Sequence, residues 1–245
     1  MVATTNLTNY YKFTEDAGNK SVVDAHGSDD GTASVNTASL ATTGHITGEG
    51  AFEFNGSTED IDFSTPLIAA SGEFTINCWV YVTSITKTST LYAQYIAGNA
   101  HRFILAFTSA DKLLLQIGSA VVGGTAVPLN EWFMVTGTRE SDNTIRVYLN
   151  GTSDGSISNS TTTLQQNSIF ASYGTGAFIV GKIGNVAIFS EDIGSSGVSD
   201  LYNSGDGLAY PFSAATGWGG KIQEISPGKV DDVAKADIKK IQGVE

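Results

Sequence analysis

Apolar and polar residues alternate through most of this chain with the two-residue period of a half-buried strand. The clearest run is GEFTINCWVYVTS, which sets Phe74, Ile76, Cys78, Val80 and Val82 on one face and Thr75, Asn77, Trp79, Tyr81 and Thr83 on the other. The first set is the predicted core face. In EWFMVTGTRESDNTIRVYLNG, two β-rich runs at 132–138 and 144–149 flank a polar connection at 139–143 whose Asp and Asn tolerate turn geometry. That is an antiparallel hairpin. Ile145, Val147 and Leu149 are expected to enter the core from it, while Arg146 and Tyr148 meet solvent or a ligand. Asn150-Gly151 supplies a second turn, since both residues accept positive φ.

The remaining segments extend this pattern. An aromatic strand at 9–13 opens the chain, and GHITGEGAFEFNGSTEDIDF reads as strand, turn, strand across Asn55-Gly56. STLYAQYIA, HRFILAFTS and KLLLQIG are three more short apolar runs, and GAFIVGKIGNVAIFS reads as another strand pair. The one convincing short helix in the body falls in EDIGSSGVSDLYNSG, where Val198, Leu201 and Tyr202 lie at i, i+3 and i+4 and Gly205 can end the helix left-handed. The expectation is an all-β, two-sheet antiparallel sandwich.

Composition agrees with many short strands: 28 glycines, only 16% charged residues and 41% hydrophobic residues among 245. The formal net charge of −12 argues against nucleic acid, because phosphate binding needs clustered Lys and Arg. All of that charge falls before Gly220; residues 221–245 carry five acidic and five basic groups and are neutral. The single cysteine, Cys78, excludes an internal disulfide and a Cys-rich zinc site. The opening MVATTNLTNYYKF has neither a basic nor an apolar signal region, and no window holds the roughly 18 apolar residues of a membrane span. Sec export and membrane insertion are not expected.

Several motifs together resemble one family. Tyr10-Tyr11, Phe13, Glu15, Gly18, Asp24, Gly27 and Gly31 resemble the N-terminal signature of laminin-G-like (concanavalin A-like) jelly rolls, and Gly50, Ala51, Phe54, Gly56 and Ser57 resemble their G-A-x-x-F-x-G-S element. The strand F-T-I-x-x-W-V, the N-G hairpin and the helix end L-Y-N-S-G follow in the family's order. The resemblance implies a concanavalin A-like jelly roll over residues 1–212, with a short C-terminal tail over 213–245. It also implies a structural calcium held by Asp24, Asp29 and Asp30, although the family's I-D-E-V closing strand reads Ile183, Gly184, Asn185, Val186 here and loses both acids. No other cofactor is called for.

Carbohydrate binding needs aromatic faces for sugar rings and polar groups for hydroxyls. Trp79 and Tyr81 share a strand face, and Tyr92, Tyr95, Arg102 and Tyr148 are the residues expected to approach it, a reading that rests mainly on the family analogy. Catalysis is not expected. Glu59, Asp60 and Asp62 do not reproduce the E-x-D-x-x-E strand of laminarinase-like enzymes and read as solvated carboxylates. His26, His45 and His101 sit in unrelated segments without a G-x-S-x-G elbow and read as surface histidines.

In the tail, Lys followed by spaced branched apolar residues repeats imperfectly, and both an amphipathic helix and an extended hook fit it. It resembles C-terminal segments of tail and surface proteins of tailed bacteriophages. Ile222, Ile225, Val230, Ile238 and Ile241 lack company for a core of their own, so they are expected to mark an assembly interface. The resulting expectation is a virion surface, fibre or decoration protein that is a homo-oligomer, docks on other virion proteins through its tail and presents a lectin-like domain to host-surface glycans. A free carbohydrate-binding lectin or adhesin is the alternative, and a glycoside hydrolase the third.

Overall fold

The computed structural model describes residues 5–95, 102–158, 168–173 and 176–212. Ile222, Ile225, Val230, Ile238 and Ile241 of the tail, and His101, lie outside the described residues. One compact unit spans Met1–Phe212. Its strands in chain order are β1 (Leu7–Tyr11), β2 (Ser21–Val22), β3 (Gly31–Ala33), β4 (Ala41–Thr43), β5 (Gly50–Asn55), β6 (Ile61–Phe63), β7 (Phe74–Val82) and β8 (Ser89–Tyr95). They continue with β9 (Arg102–Phe107), β10 (Lys112–Ile117), β11 (Ser119–Ala126), β12 (Trp132–Arg139), β13 (Ile145–Leu149), β14 (Thr152–Ile157), β15 (Ser168–Phe170) and β16 (Val180–Phe189), and one α-helix, α1 (Gly194–Tyr202), follows. Among the described residues no helix is long and apolar enough to cross a membrane.

Two antiparallel sheets face each other, as the alternation predicts. Sheet A runs β14-β13-β12-β7-β16-β5-β4, with β1 also paired to β16, and sheet B runs β11-β10-β9-β8-β15-β6-β3-β2. The core face read for β7 is correct: Phe74, Ile76, Cys78, Val80 and Val82 all lie in the main core between the sheets. The hairpin also forms, with β12 and β13 in register from Val135↔Leu149 to Arg139↔Ile145. Asn150 and Gly151 take φ of 50° and 78°, the left-handed pair that a tight two-residue connection between right-twisted strands requires.

Four expectations need correction. The segment around Asn55-Gly56 is no hairpin, because β5 joins sheet A while β6 joins sheet B, so the chain crosses between layers there. GAFIVGKIGNVAIFS forms one strand, β16, whose register shifts between Gly184 and Ala187 around Asn185 at φ 54°; a bulge bends the strand without ending it. Helix α1 stops at Asn203, in the left-handed conformation at φ 48°, before Gly205 is reached. Its side-chain amide donates to the Gly207 carbonyl at 2.8 Å and secures that end. Lastly, Tyr148 on the other face of β13 is only 3% exposed.

Tyr148 is buried because sheet A has a second core on its outer side. Trp79, Met134 and Tyr148 from the sheet pack there with Ile46, Val198 and Leu201, the last two from α1. The helix therefore covers the face that strand periodicity alone assigns to solvent. His45 is part of this cover, stacked on Trp79 with ring centroids 3.9 Å apart, and its Nε2 lies 2.7 Å from the Gly205 carbonyl oxygen. The surface reading of His45 is thus corrected too, while His26 is exposed as expected.

Candidate functional site on the outer face of sheet B

The six residues expected to bind sugar fall in three places. Trp79, 2% exposed, and Tyr148 lie in the second core, with Tyr81 half-buried on the same side beside Trp132 and Lys182. Tyr92 sits in the main core at 1% exposure, its hydroxyl donating to Gln94 Oε1 at 2.8 Å and lying 2.9 Å from Ser168 Oγ. Only Tyr95 and Arg102 share an accessible surface. They are cross-strand partners at the ends of β8 and β9, and Tyr92 and Gln94 face inward while Ala93 and Tyr95 alternate outward.

Strand register extends that surface across sheet B. Asp62 on β6 opposes Ile169 on β15, Ile169 opposes Ala93, Ala93 opposes Ile104, and Ile104 opposes Gln116 on β10. Ala93, Ile104 and Ile169 belong to neither core cluster and form the apolar middle of this face, but at 0, 5 and 9% exposed they are covered, so only its two ends are open. Four inter-strand steps separate Asp62 from Gln116, about 19 Å at ordinary sheet spacing. At one end Tyr173 packs edge-on to Tyr95 with centroids 4.5 Å apart and lies 5.6 Å beneath the Arg102 guanidinium. Arg102 Nη1 donates to the Tyr173 hydroxyl at 3.1 Å and its Nε to Gln116 Oε1 at 3.4 Å.

At the other end are Asp62 and Asp60. Burial, then the neighbouring charge of Asp62, raises Asp60 above the ordinary carboxyl value, with Ser34 and Ser172 opposing the shift; burial raises Asp62 as well. Asp60 is therefore partly withdrawn from water, while Asp62 beside it stays exposed. Because the folded chain then holds the Asp60 proton more readily than the unfolded chain, this group favours folding at acid pH and the contribution is lost as pH rises through the folded value. Asp60→Asn is expected to melt with the parent near pH 3 and above it by about pH 7, read from melting temperature across that range.

Sequence reasoning missed Tyr173 and Gln116. Gln116 was legible in principle as the polar member of an alternating KLLLQI, but Tyr173 follows β15 on an irregular stretch, with Ala171 at φ 68°, and no period places it. Two clefts of about 380 and 370 Å³ flank the edge strand β4. Their aromatic linings, Phe13 and Phe54, are sealed in the core, so neither cleft offers a ring to a ligand.

The calcium set does not fit its ion. Asp24 Oδ1 accepts from the backbone N–H groups of Tyr10, His26 and Gly27 at 2.9, 3.1 and 2.9 Å, and Oδ2 accepts from Asn9 Nδ2 at 2.7 Å. A carboxylate enclosed by positive dipole ends has no lone pairs directed to a cation, which needs oxygen neighbours. Asp29 turns to the Thr65 hydroxyl at 2.7 Å and Asp30 to the Asp24 amide at 2.8 Å. Among the described residues no group of three or more His, Cys, Asp or Glu side chains is placed to hold a metal. Asp24 is instead the hub that ties the first loop to β1.

A sandwich with this topology and these motifs is matched from residue 55 to residue 199, more than half of the chain, by the Laminin_G_3 family of the concanavalin A-like lectin/glucanases superfamily. The chain belongs to that family. No curated protein matches it in sequence. Among solved structures it is similar to domain 4 of AbnA, a GH43 extracellular arabinanase from Geobacillus stearothermophilus, in complex with arabinotriose: 20% identity and a TM-score of 0.63 over 80% of this chain and 98% of that one. The binding domain of Paraclostridial Mosquitocidal Protein 1 matches at 15% identity and a TM-score of 0.64, over 81% of this chain and 52% of that one. Trypanosoma rangeli sialidase matches at 17% and 0.63, over 84% of this chain but only 34% of the sialidase. At these identities the likeness is one of fold alone, a fold that those structures show both in carbohydrate-active enzymes and in a binding domain.

Proposed function

We propose that this laminin-G-like protein is a noncatalytic glycan-binding module displayed on a bacteriophage virion. The observation that carries the binding reading is the outer face of sheet B, where two tyrosine rings, an arginine and a glutamine stand together at one end and two carboxyls at the other, with buried Ala93, Ile104 and Ile169 between them. Aromatic rings take the apolar faces of sugars, and fixed polar groups take their hydroxyls. Arabinotriose bound to a domain of the same fold supports the ligand class. In calorimetry against an oligosaccharide panel, Tyr173→Ala should weaken binding about tenfold. Trp79→Phe, in the covered second core, should leave affinity unchanged. Equal loss from both substitutions would place the ligand elsewhere.

One observation favours hydrolysis as a second reading: Asp60 and Asp62 lie together at this face with raised values. Release of reducing ends by the purified protein, abolished in Asp62→Ala, would replace the binding-only reading.

Display on a virion is supported by the charge break near Gly220 and by the apolar repeat beyond it. Truncation after Gly220 is expected to leave the melting temperature nearly unchanged while abolishing oligomerisation or particle incorporation. Unfolding or aggregation of the shortened chain would assign those residues to the core of the jelly roll instead.

A further inference from the structure

We infer that the glycan taken by this face is an acidic one, with its carboxylate held by Arg102; the inference rests on the glycan reading above. Arg102 is fixed but not neutralised. Its two hydrogen-bond partners, the Tyr173 hydroxyl and the Gln116 amide oxygen, are uncharged, and among the described residues no carboxylate pairs with it. Of the eight Lys and Arg side chains among the described residues, three have a described carboxylate within 4.0 Å and five, Arg102 among them, do not. Arg146 has Glu140 at 2.8 Å, Lys182 has Glu53 at 3.8 Å and Lys12 has Glu49 at 4.0 Å. The third arginine, Arg139, is only 3% exposed and out of reach of a ligand.

Arg102 by contrast is partly exposed, and among the described residues its Nη2 has no hydrogen-bond partner and is absent from the buried unsatisfied groups. The Tyr173 ring beneath the guanidinium and the Gln116 bond on Nε hold its plane before any ligand arrives. A held guanidinium with free N–H groups suits a carboxylate, which accepts charge-assisted hydrogen bonds of about twice the ordinary strength.

The net charge of −12 opposes an anionic ligand only weakly at this point. Three strand steps separate the acidic end of the face, at β6, from Arg102 on β9. That is about 14 Å, against a screening length of about 8 Å in physiological salt. The nearby cation therefore outweighs the distant acids, and it sets a polarity along the face, with the acidic group of the glycan at the Arg102 end and hydroxyls toward Asp62.

The test is calorimetry of the full chain with two matched pairs: sialyllactose against lactose, and trigalacturonate against its carboxyl-reduced form. The acidic member of at least one pair should bind about tenfold more tightly than its neutral partner. Arg102→Gln should erase that difference by weakening only the acidic member, and Arg102→Lys should keep part of it. Should Arg102→Gln fail to fold, the same selectivity is read in the parent as a loss of affinity in high salt confined to the acidic member. Equal binding of acidic and neutral members, with Tyr173→Ala still destroying both, would overturn the acidic assignment and leave the glycan reading standing. Binding of no member of either pair would remove the glycan reading together with this inference.

Discussion

Replacing Glu49 with alanine is expected to lower the melting temperature by about 10 °C, one of the two largest effects that the structure predicts. The Glu49 side chain is 3% exposed and joins three distant segments. Its Oε2 accepts from the Tyr10 hydroxyl at 2.6 Å and from Asn185 Nδ2, and its Oε1 accepts from the Tyr210 amide at 2.8 Å. Burial first, and then the Glu49 charge, pushes the Tyr10 phenol well above its usual range, so it stays protonated and donates. Removing the carboxylate strands these donors where water cannot replace it. Each lost partner costs about 1–3 kcal/mol, so a total near 3–5 kcal/mol is expected. Glu49→Gln keeps the shape but turns an N–H toward other donors, and should fall between parent and alanine variant. A Glu49→Ala protein melting within about 2 °C of the parent would show that strand packing alone holds these segments.

Tyr92→Ala should cost about 3–5 kcal/mol of stability, the usual range for truncating a buried aromatic side chain. The ring lies 5.2 Å from Phe103 and 5.1 Å from Phe170, centroid to centroid, in the middle of the sandwich. Its hydroxyl also closes a small buried network with Gln94 and Ser168. Tyr92→Phe removes only that hydroxyl and should cost about 1–2 kcal/mol. Because Tyr92 faces the core and Tyr95 the outer surface, Tyr92→Phe should also leave glycan affinity untouched. Urea unfolding and calorimetry on the same preparation check both halves, and weakened binding by folded Tyr92→Phe would mean that the ligand reaches between the sheets.

Tyr92 marks where sequence reading stopped. Alternation along β8 shows that Tyr92 and Tyr95 lie on opposite faces, since they are three residues apart, but it does not say which face is the core. A one-residue bulge between Thr90 and Tyr92 further obscures the phase. Trp79 posed a related problem. Alternation gives its strand and the strand's core face, but nothing in the local pattern of β7 reveals that a helix more than a hundred residues later will cover the other face. The apolar spacing of Val198 and Leu201 predicted that α1 had a face to bury, but not what it would bury it against.

What the sequence determined by itself was local or periodic in origin: the strands, the β12–β13 hairpin, the Asn150-Gly151 turn, the helix and the core face of β7. Each follows from side-chain alternation or from backbone preferences within a few residues. Only the tertiary structure decided which sheet each strand joined, that Asp24 faces N–H groups, that sheet A is covered on both sides, and that Tyr95, Arg102, Gln116 and Tyr173 meet. Those outcomes depend on register between strands far apart in the chain, and an alternation of period two reads the same whichever neighbour a strand acquires.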